Sequence, residues 1–421
     1  MSRRSLQVSG AGLRSTATQL RSHRPDYWII ILSLLLVSLG LIVVYSIGPA
    51  LSATHGGGAR YVGRQIIAIL LAAVAFVVTA RVPLAQWRNW QLPLLAVAAT
   101  GTVIALIIPV NPDYPAHRWI RIGGFSLQSV EILKFALLIW FSGFLAAAQA
   151  NGYIANFHKV LKPILYILLV IGFVVAGVQS DLGSTGVIVA MIGAMAFVAG
   201  MPMKKVMLAG VVVVLVAAVA VSSTPYRRER LATYLHPEKN CLTTSYQACQ
   251  ALIAVGSGGA LGQGVGKGVQ AYGYLPEAQN DSIFAIYAEK FGFIGSVALL
   301  GLYMLLFVRL RRIIERAPDA FSRMLVAGVL AWLSTQAFIN IGAMIGLLPL
   351  KGITLPLVSY GGTSVLVVGA ILGLVYQVSH YTTFSARFVP NSKVRESDEN
   401  SHDRRRVRGA YHSNPSGRKG N

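Results

Sequence analysis

The sequence predicts an all-α polytopic membrane protein. It has about ten transmembrane helices, N- and C-termini in the cytoplasm, and a large extracytoplasmic loop between spans seven and eight. Three observations predict this. Of 421 residues, 54% are hydrophobic and only 12% are charged, about half the charge of a soluble domain. Ten apolar stretches approach the ~20 residues that a bilayer requires. The formal net charge is +22, from 37 Lys and Arg against 15 Asp and Glu, and most of the cations fall on alternate loops. This composition excludes disorder for most of the chain, and two Cys exclude a disulfide scaffold. A soluble basic nucleic-acid binder would carry far more charge, so no nucleic-acid partner is expected.

Residues 1–27 form a basic tail with five Arg. It lacks a small-residue cleavage site, so the first span is expected to be a retained anchor. Spans follow near 28–48, 65–80, 92–110, 132–148, 163–178, 185–200, 206–222, 292–308, 324–346 and 364–381, within a membrane domain of 28–381. With the N-terminus inside, the segments 1–27, 81–91, 149–162, 201–205, 309–323 and 382–421 hold 25 of the 37 cations. Residues 223–291 form the outer loop. Residues 382–421, with the run Arg404-Arg405-Arg406, read as a disordered basic tail attracted to anionic lipid or as a docking peptide. Outside the tails and the 309–323 loop, the acids are Asp113, Glu131, Asp181, Glu229, Glu238, Glu277, Asp281 and Glu289. All fall on the outer side, which is where polar chemistry is expected.

Five constellations could carry that chemistry. The first is His117-Arg118-Trp119-Ile120-Arg121, followed by Gln128-Ser129-Val130-Glu131 and Lys134. Glu131 and Lys134 are three apart on one helix face. Ionisable groups in a bilayer pair and face the bundle interior. The pair reads either as a structural lock or as a cation held ready for an anionic substrate. Arg118 and Arg121 read as phosphate ligands or as interfacial anchors. The second is the turn Gln179-Ser180-Asp181-Leu182-Gly183-Ser184, where Asp181 caps the next helix or touches substrate.

The third is the outer loop, from Tyr226 through His236-Pro237 to a helix containing Tyr246-Gln247-Ala248-Cys249-Gln250. Thr244 and Gln247 have the spacing of a capping box. A glycine-rich stretch follows, from Gly256 to Gly268. Gly266-Lys267 is not a phosphate loop, because Leu261 stands where Gly is required and Gly268 where Ser or Thr is required. Close backbone packing or a substrate gate is expected instead. Cys241 and Cys249 could form a disulfide if that side is oxidising.

The fourth runs from Tyr274-Leu275-Pro276-Glu277 through Asp281 to Glu289. Asp281 stands at the apparent start of a helix ending near Gly292. It reads as an N-cap or, if apolar walls raise its pKa, as a general base. Glu277 and Glu289 could tune it. The fifth is Gln336 and Asn340 in span nine, then Lys351 and Leu355-Pro356 through Ser359-Tyr360-Gly361-Gly362. Its prolines and glycines suggest a re-entrant outer segment lining a cavity. Lys351 either snorkels or contacts pyrophosphate.

These motifs, in this order, resemble the SEDS family (shape, elongation, division and sporulation) over roughly 28–381, and within it the cell-division branch. The carriers are Arg118-Trp119-Ile120-Arg121, Gln128 to Glu131 with Lys134, Asp181-Leu182-Gly183, Tyr246-Gln247 with Gln250 and Gly256 to Gly259. Leu275-Pro276-Glu277-Ala278 with Asp281, and Leu355-Pro356 with Ser359-Tyr360-Gly361-Gly362, complete the set. The resemblance implies an inverting peptidoglycan glycosyltransferase that polymerises lipid II into glycan strands for septal wall synthesis and releases undecaprenyl pyrophosphate. It implies Asp281 as the catalytic residue, and substrate contacts at Arg118, Arg121, Glu131, Lys134, Gln247, Lys351 and Ser359. Asp181, Glu277 and Glu289 support them.

The implied partners are a class B penicillin-binding protein and other division proteins, at the septal plasma membrane. A divalent cation, Mg or Mn, is a possible cofactor, with no dedicated metal ligands. Alternatives are a lipid II flippase, an elongation-type polymerase, or a scaffold resting on the tails. The chain departs from the family pattern where Ser129-Val130 replaces Pro-Ser, Ser180 replaces Pro and Gln279 replaces a common His. That last change removes one proton relay.

Overall fold

The computed structural model describes residues 21–22, 24–55, 58–108, 118–122, 125–222, 234 and 240–382. Most of 1–27, nearly all of 382–421 and most of 223–239, including His236, lie outside them, and so does His117.

The described chain is helical, and helices cover all ten apolar stretches. They are α1 (Trp28–His55), α2 (Gly58–Arg81), the short α3 (Leu84–Asn89), α4 (Gln91–Ile107), α5 (Ser129–Ala150), α6 (Phe157–Val178), α7 (Leu182–Val198) and α8 (Met203–Ser222). After them come α9 (Tyr246–Ser257), α10 (Ile283–Arg316), α11 (Ala320–Met344) and α12 (Gly362–Ser379). Among the described residues, seven helices are long and apolar enough to cross a membrane, and α4 and α7 are shorter apolar helices. The first and last turns of α6 are π-helical.

Small residues let the helices approach. Gly369 and Gly373 of α12 press on the α2 backbone at Ala72 and Phe76. Thr79 Oγ1 donates to Ala370 O at 2.8 Å across the same contact. Such close packing drives helix association where lipid supplies no hydrophobic contrast.

Three features go beyond the all-α expectation. A β-hairpin, β2 (Trp119–Ile122) with β3 (Phe125–Gln128), leads into α5. Its alternating Ile120, Ile122, Phe125 and Leu127 carry a two-residue period inside a loop. A two-residue ladder joins β1 (Arg21–Ser22) to β4 (Tyr381–Thr382). Near it, Asp26 N donates to Ser379 Oγ at 3.1 Å, and Arg309 Nη1 lies 3.6 Å from Asp26. The two ends of the bundle thus meet beside the start of the 309–323 segment.

The third feature is a break in α10. The sequence predicts a helix ending near Gly292 and span eight from 292; the structure has that break at Gly292 (φ 65°, ψ −163°), with the first helix starting at Ile283. The break frees backbone groups that must find partners. The glycine-rich stretch supplies them. Gln263 N and Gly264 N donate to Glu289 O and Lys290 O at 2.9 and 3.0 Å. Phe293 N and Ile294 N donate to Gly259 O and Ala260 O at 2.8 and 3.1 Å. A Cβ on Gly258 or Gly262 would overlap the α10 backbone, so close packing is what those glycines serve.

The segment from Ile345 to Gly361 is non-helical and turns back into the bundle. Gly40, in the middle of α1, abuts the Val358 backbone. Tyr303 of α10 donates to Pro356 O at 2.5 Å. The segment expected to be re-entrant is thus non-helical and packed among α1, α10 and α11.

Candidate active site

Asp281 sits in the turn before α10. The N-cap of that helix is Ser282, so Asp281 is not its cap. Asn340 Nδ2 of α11 holds the Asp281 carbonyl at 2.7 Å and the Ile353 carbonyl at 2.6 Å. One side chain thus fixes the turn and the re-entrant segment together. Asp281 Oδ1 is buried and has no hydrogen-bond partner. Burial, and next the negative charge of Glu277, push its pKa up to about 7. The Gln247 amide and nearby backbone N–H groups pull the other way without overcoming burial. A carboxyl with a pKa near 7 is matched to general-base work at neutral pH.

Arg118 reaches the same place from the loop before β2. Its Nε and Nη2 donate to Gln179 O at 2.8 Å and Ser180 O at 2.6 Å. A methyl group at Gly352 would lie 3.6 Å from Asp281 Oδ2 and 3.9 Å from Arg118 Nη1. The carboxylate and the guanidinium therefore flank one glycine, and Lys351 is its chain neighbour. Gly183 packs against Ile353 and the Lys351 stem, which closes the ring of segments.

The backbone is strained here. Among the described residues, the non-glycine residues with positive φ are Ser180 (54°), Glu277 (51°) and Leu357 (67°). All three lie in the segments around Asp281. Such conformations persist only where the surroundings over-determine them.

Several expected substrate contacts turn out to be engaged within the protein. Lys134 is 0% exposed. Its ammonium bonds Glu131 Oε1 at 2.7 Å and Gln336 Oε1 at 3.0 Å, and lies 4.6 Å from the Trp332 ring centroid. Gln336 Nε2 continues to Thr354 O at 3.0 Å. The Glu131–Lys134 pair is therefore a lock between α5, α11 and the re-entrant segment. Ser359 is also buried. It accepts from Leu355 N at 2.7 Å and donates to Asn280 O at 2.6 Å, so it braces the turn before Asp281. Asp181 caps α7 through Ser184 N and Ser184 Oγ, each at 2.9 Å.

Gln247 reaches the site, and its Nε2 lies 3.1 Å from Ser282 Oγ. The expected capping box does not form. Ser245 is the N-cap of α9 and makes no side-chain cap bond. Glu277 neighbours Asp281, but Glu289 does not tune it. Glu289 Oε1 accepts from Val269 N at 2.9 Å and Gln270 N at 3.2 Å, clamping the glycine-rich stretch to α10. Arg121 lies in β2 opposite Ser126.

Sequence reasoning missed Arg64 and Gln65. Gln65 Nε2 donates to Ser359 O at 3.5 Å, and Arg64 lies beside Tyr360. Tyr360 N in turn donates to Gln279 O at 2.9 Å. The expected second span began at Gln65, so Arg64 was left in a loop and Gln65 at the edge of the span. A charge inside a continuous apolar helix was the available signal. Among the described residues, no three of His, Cys, Asp and Glu gather as a cation site.

Known proteins resemble this chain in sequence and fold. The profile of the family FtsW/RodA/SpoVE, described as "Cell cycle protein", matches residues 26–384. The chain is 35% identical to the probable peptidoglycan glycosyltransferase FtsW of Saccharophagus degradans, over 85% of this chain and 93% of that one. It is 35% identical to the stage V sporulation protein E of Bacillus subtilis, over 86% and 98%. Among solved structures, it superposes with a TM-score of 0.65 and 25% identity on a chain from "Structural coordination of polymerization and crosslinking by a peptidoglycan synthase complex", over 84% and 97%. A mutant of the rod shape determining protein RodA of Thermus thermophilus gives a TM-score of 0.62 at 24% identity, over 84% and 97%.

Proposed function

Because the chain belongs to the FtsW/RodA/SpoVE family of cell cycle proteins, we propose that it is a peptidoglycan glycosyltransferase that polymerises lipid II. The observation that carries this reading is Asp281: a half-buried carboxylate with one buried, orphaned oxygen, facing Arg118 across Gly352. Asp281 takes the proton from the acceptor's C4 hydroxyl. The freed oxygen attacks the donor's anomeric carbon, and the new C1–O4 bond forms with inversion. The bond from C1 to the pyrophosphate oxygen breaks, and undecaprenyl pyrophosphate leaves with the electron pair. Fixed cations stabilise the growing negative charge on the leaving group.

Arg118 and Lys351 are the cations of the Asp281 region assigned to that task, and Arg121 in the hairpin is a third. Lys134 is not among them, because it is fully buried between Glu131, Gln336 and Trp332. Gln247 orients the base, and Glu277 keeps its pKa near working pH. Both termini are assigned to the cytoplasm. The meeting of 21–22 with 381–382 near Arg309 supports that, as does the concentration of cations in the segments on that side. A class B penicillin-binding protein is the proposed partner, at the division septum.

The test is polymerisation of purified lipid II by the full chain, with and without such a partner. Asp281→Ala should abolish polymer while membrane insertion persists. Polymer from that variant would overturn the assignment. Transbilayer movement of lipid II without polymer would favour the flippase reading.

A further inference from the structure

We infer that the disulfide between Cys241 and Cys249 is a positioning device for the active site. It holds the first turn of α9 so that Gln247 stays against Ser282 beside Asp281. The inference rests on the reading of Asp281 as the base. It goes beyond that reading because the two cysteines touch no reacting atom.

The argument starts at an uncapped helix. The first turn of any helix presents N–H groups without intrahelical partners, and a side-chain cap normally satisfies one. The N-cap of α9, Ser245, makes no such bond, and its hydroxyl is buried without a partner. An uncapped first turn frays. Gln247 lies within that turn. Its amide lies 3.1 Å from Ser282 Oγ, and Ser282 Oγ donates to Pro276 O at 2.9 Å. Fraying by one turn would therefore withdraw the side chain that links α9 to the Asp281 turn.

The disulfide supplies the missing restraint. Cys241 precedes the helix and Cys249 is inside it, with Cα atoms 5.6 Å apart. Cys249 is only 6% exposed, so the helix end of the bond is fixed in the packed bundle. The bridged segment folds on itself, with Thr243 N and Ser245 N donating to Asn240 O at 3.0 and 3.1 Å. Gln247 lies between the two bridged residues. Movement of Gln247 away from Ser282 therefore requires distortion of a covalently closed ring.

The experiment compares four full-length proteins in nanodiscs, each polymerising lipid II: wild type, Cys241→Ser/Cys249→Ser, Gln247→Ala and the triple variant. Loss of the disulfide should lower kcat by most of the factor that Gln247→Ala loses, with KM nearly unchanged. The triple variant should be no slower than Gln247→Ala, because both changes remove one coupled unit. Dithiothreitol should convert wild type to the behaviour of the Cys variant and leave that variant unaffected. In that exchange two thiols form on the protein as the reagent closes to its cyclic disulfide. Amide exchange over 246–250 should accelerate on reduction, while exchange in α10 and α11 holds, which separates local fraying from unfolding.

Unchanged kcat after reduction would overturn the inference. So would independent, multiplying losses from the Cys pair and Gln247, or free thiols at both cysteines in protein taken from its native membrane. Failure of the base reading shows elsewhere, as polymerisation retained by Asp281→Asn. The coupling ratio does not depend on which group is the base.

Discussion

Lys134 and Asp281 are both ionisable groups closed in by the same bundle, and they are treated in opposite ways. The Lys134 ammonium is met by a carboxylate at 2.7 Å, an amide oxygen at 3.0 Å and an indole face, although the second oxygen of that carboxylate, Glu131 Oε2, has no hydrogen-bond partner. Around Asp281 one oxygen has no partner, a like charge stands nearby, and the flanking turns hold strained backbone at Ser180, Glu277 and Leu357. A satisfied buried charge specifies packing. An unsatisfied one costs stability, and the rest of the fold must offset that cost. The contrast teaches which buried charge is structural and which is poised for chemistry.

The largest effect should come from Asp281→Asn. The variant keeps the shape and removes the base, so polymerisation should fall by about 10²–10⁴-fold. It should also melt higher at pH 8. A carboxyl raised from 3.8 to about 7 by burial binds more protons folded than unfolded between those values. Stability therefore falls as pH rises through that window, and the loss persists above it. Removing the carboxylate removes the loss. A lower melting point at pH 8 would show Asp281 to be structural and collapse the comparison.

Lys134→Met should do the reverse. It leaves Glu131 buried without its cation, which costs about 3–5 kcal/mol, read as a lower melting point in detergent. Adding Glu131→Leu should recover most of that stability, because a buried pair replaced as a whole is often neutral. If the double variant is stable but inactive, Lys134 serves the reaction and the two sites are less distinct than argued.

How much of this contrast was legible in the sequence follows from the range of each cue. Hydropathy exposed the ten apolar stretches, and the one-sided placement of acids pointed to the outer side, but only the family resemblance singled out Asp281 among them. Charge spacing found the Glu131–Lys134 pair but not its closure by Gln336 and Trp332, which are about 200 residues away in sequence. Positive φ at Ser180 was invisible, since serine carries no signal for it. Glu289 looked like a tuner of Asp281 by proximity in sequence. Two turns of helix instead aim it at the glycine-rich stretch.

Glu277→Gln tests the electrostatics more finely. Glu277 raises the Asp281 pKa, so its neutralisation should move the pH of half-maximal rate, expected near 7, toward acid. The Gln247 amide and the backbone N–H groups of Asp281 and Ser282 act in the acid direction, and Arg118 stands across Gly352 from the carboxyl. A shift toward base would mean that Glu277 pairs with that cation rather than repelling Asp281.

Tyr303→Phe should have the smallest effect and bears on how the two regions are joined. The re-entrant segment is held from the Lys134 side through Gln336 and Thr354, and from the Asp281 side through Asn340 and Ile353. Tyr303 adds a third tether, at Pro356 O. Losing that hydroxyl removes one buried hydrogen bond, about 1 kcal/mol, with the ring retained. If the other two tethers set the position of the segment, the variant should melt slightly lower and keep its kcat. A fall in kcat larger than the fall in stability accounts for would make Pro356 part of the path that aligns Gly352 between Asp281 and Arg118. The two regions would then be one mechanical unit, with the satisfied charge anchoring the segment that the unsatisfied one faces.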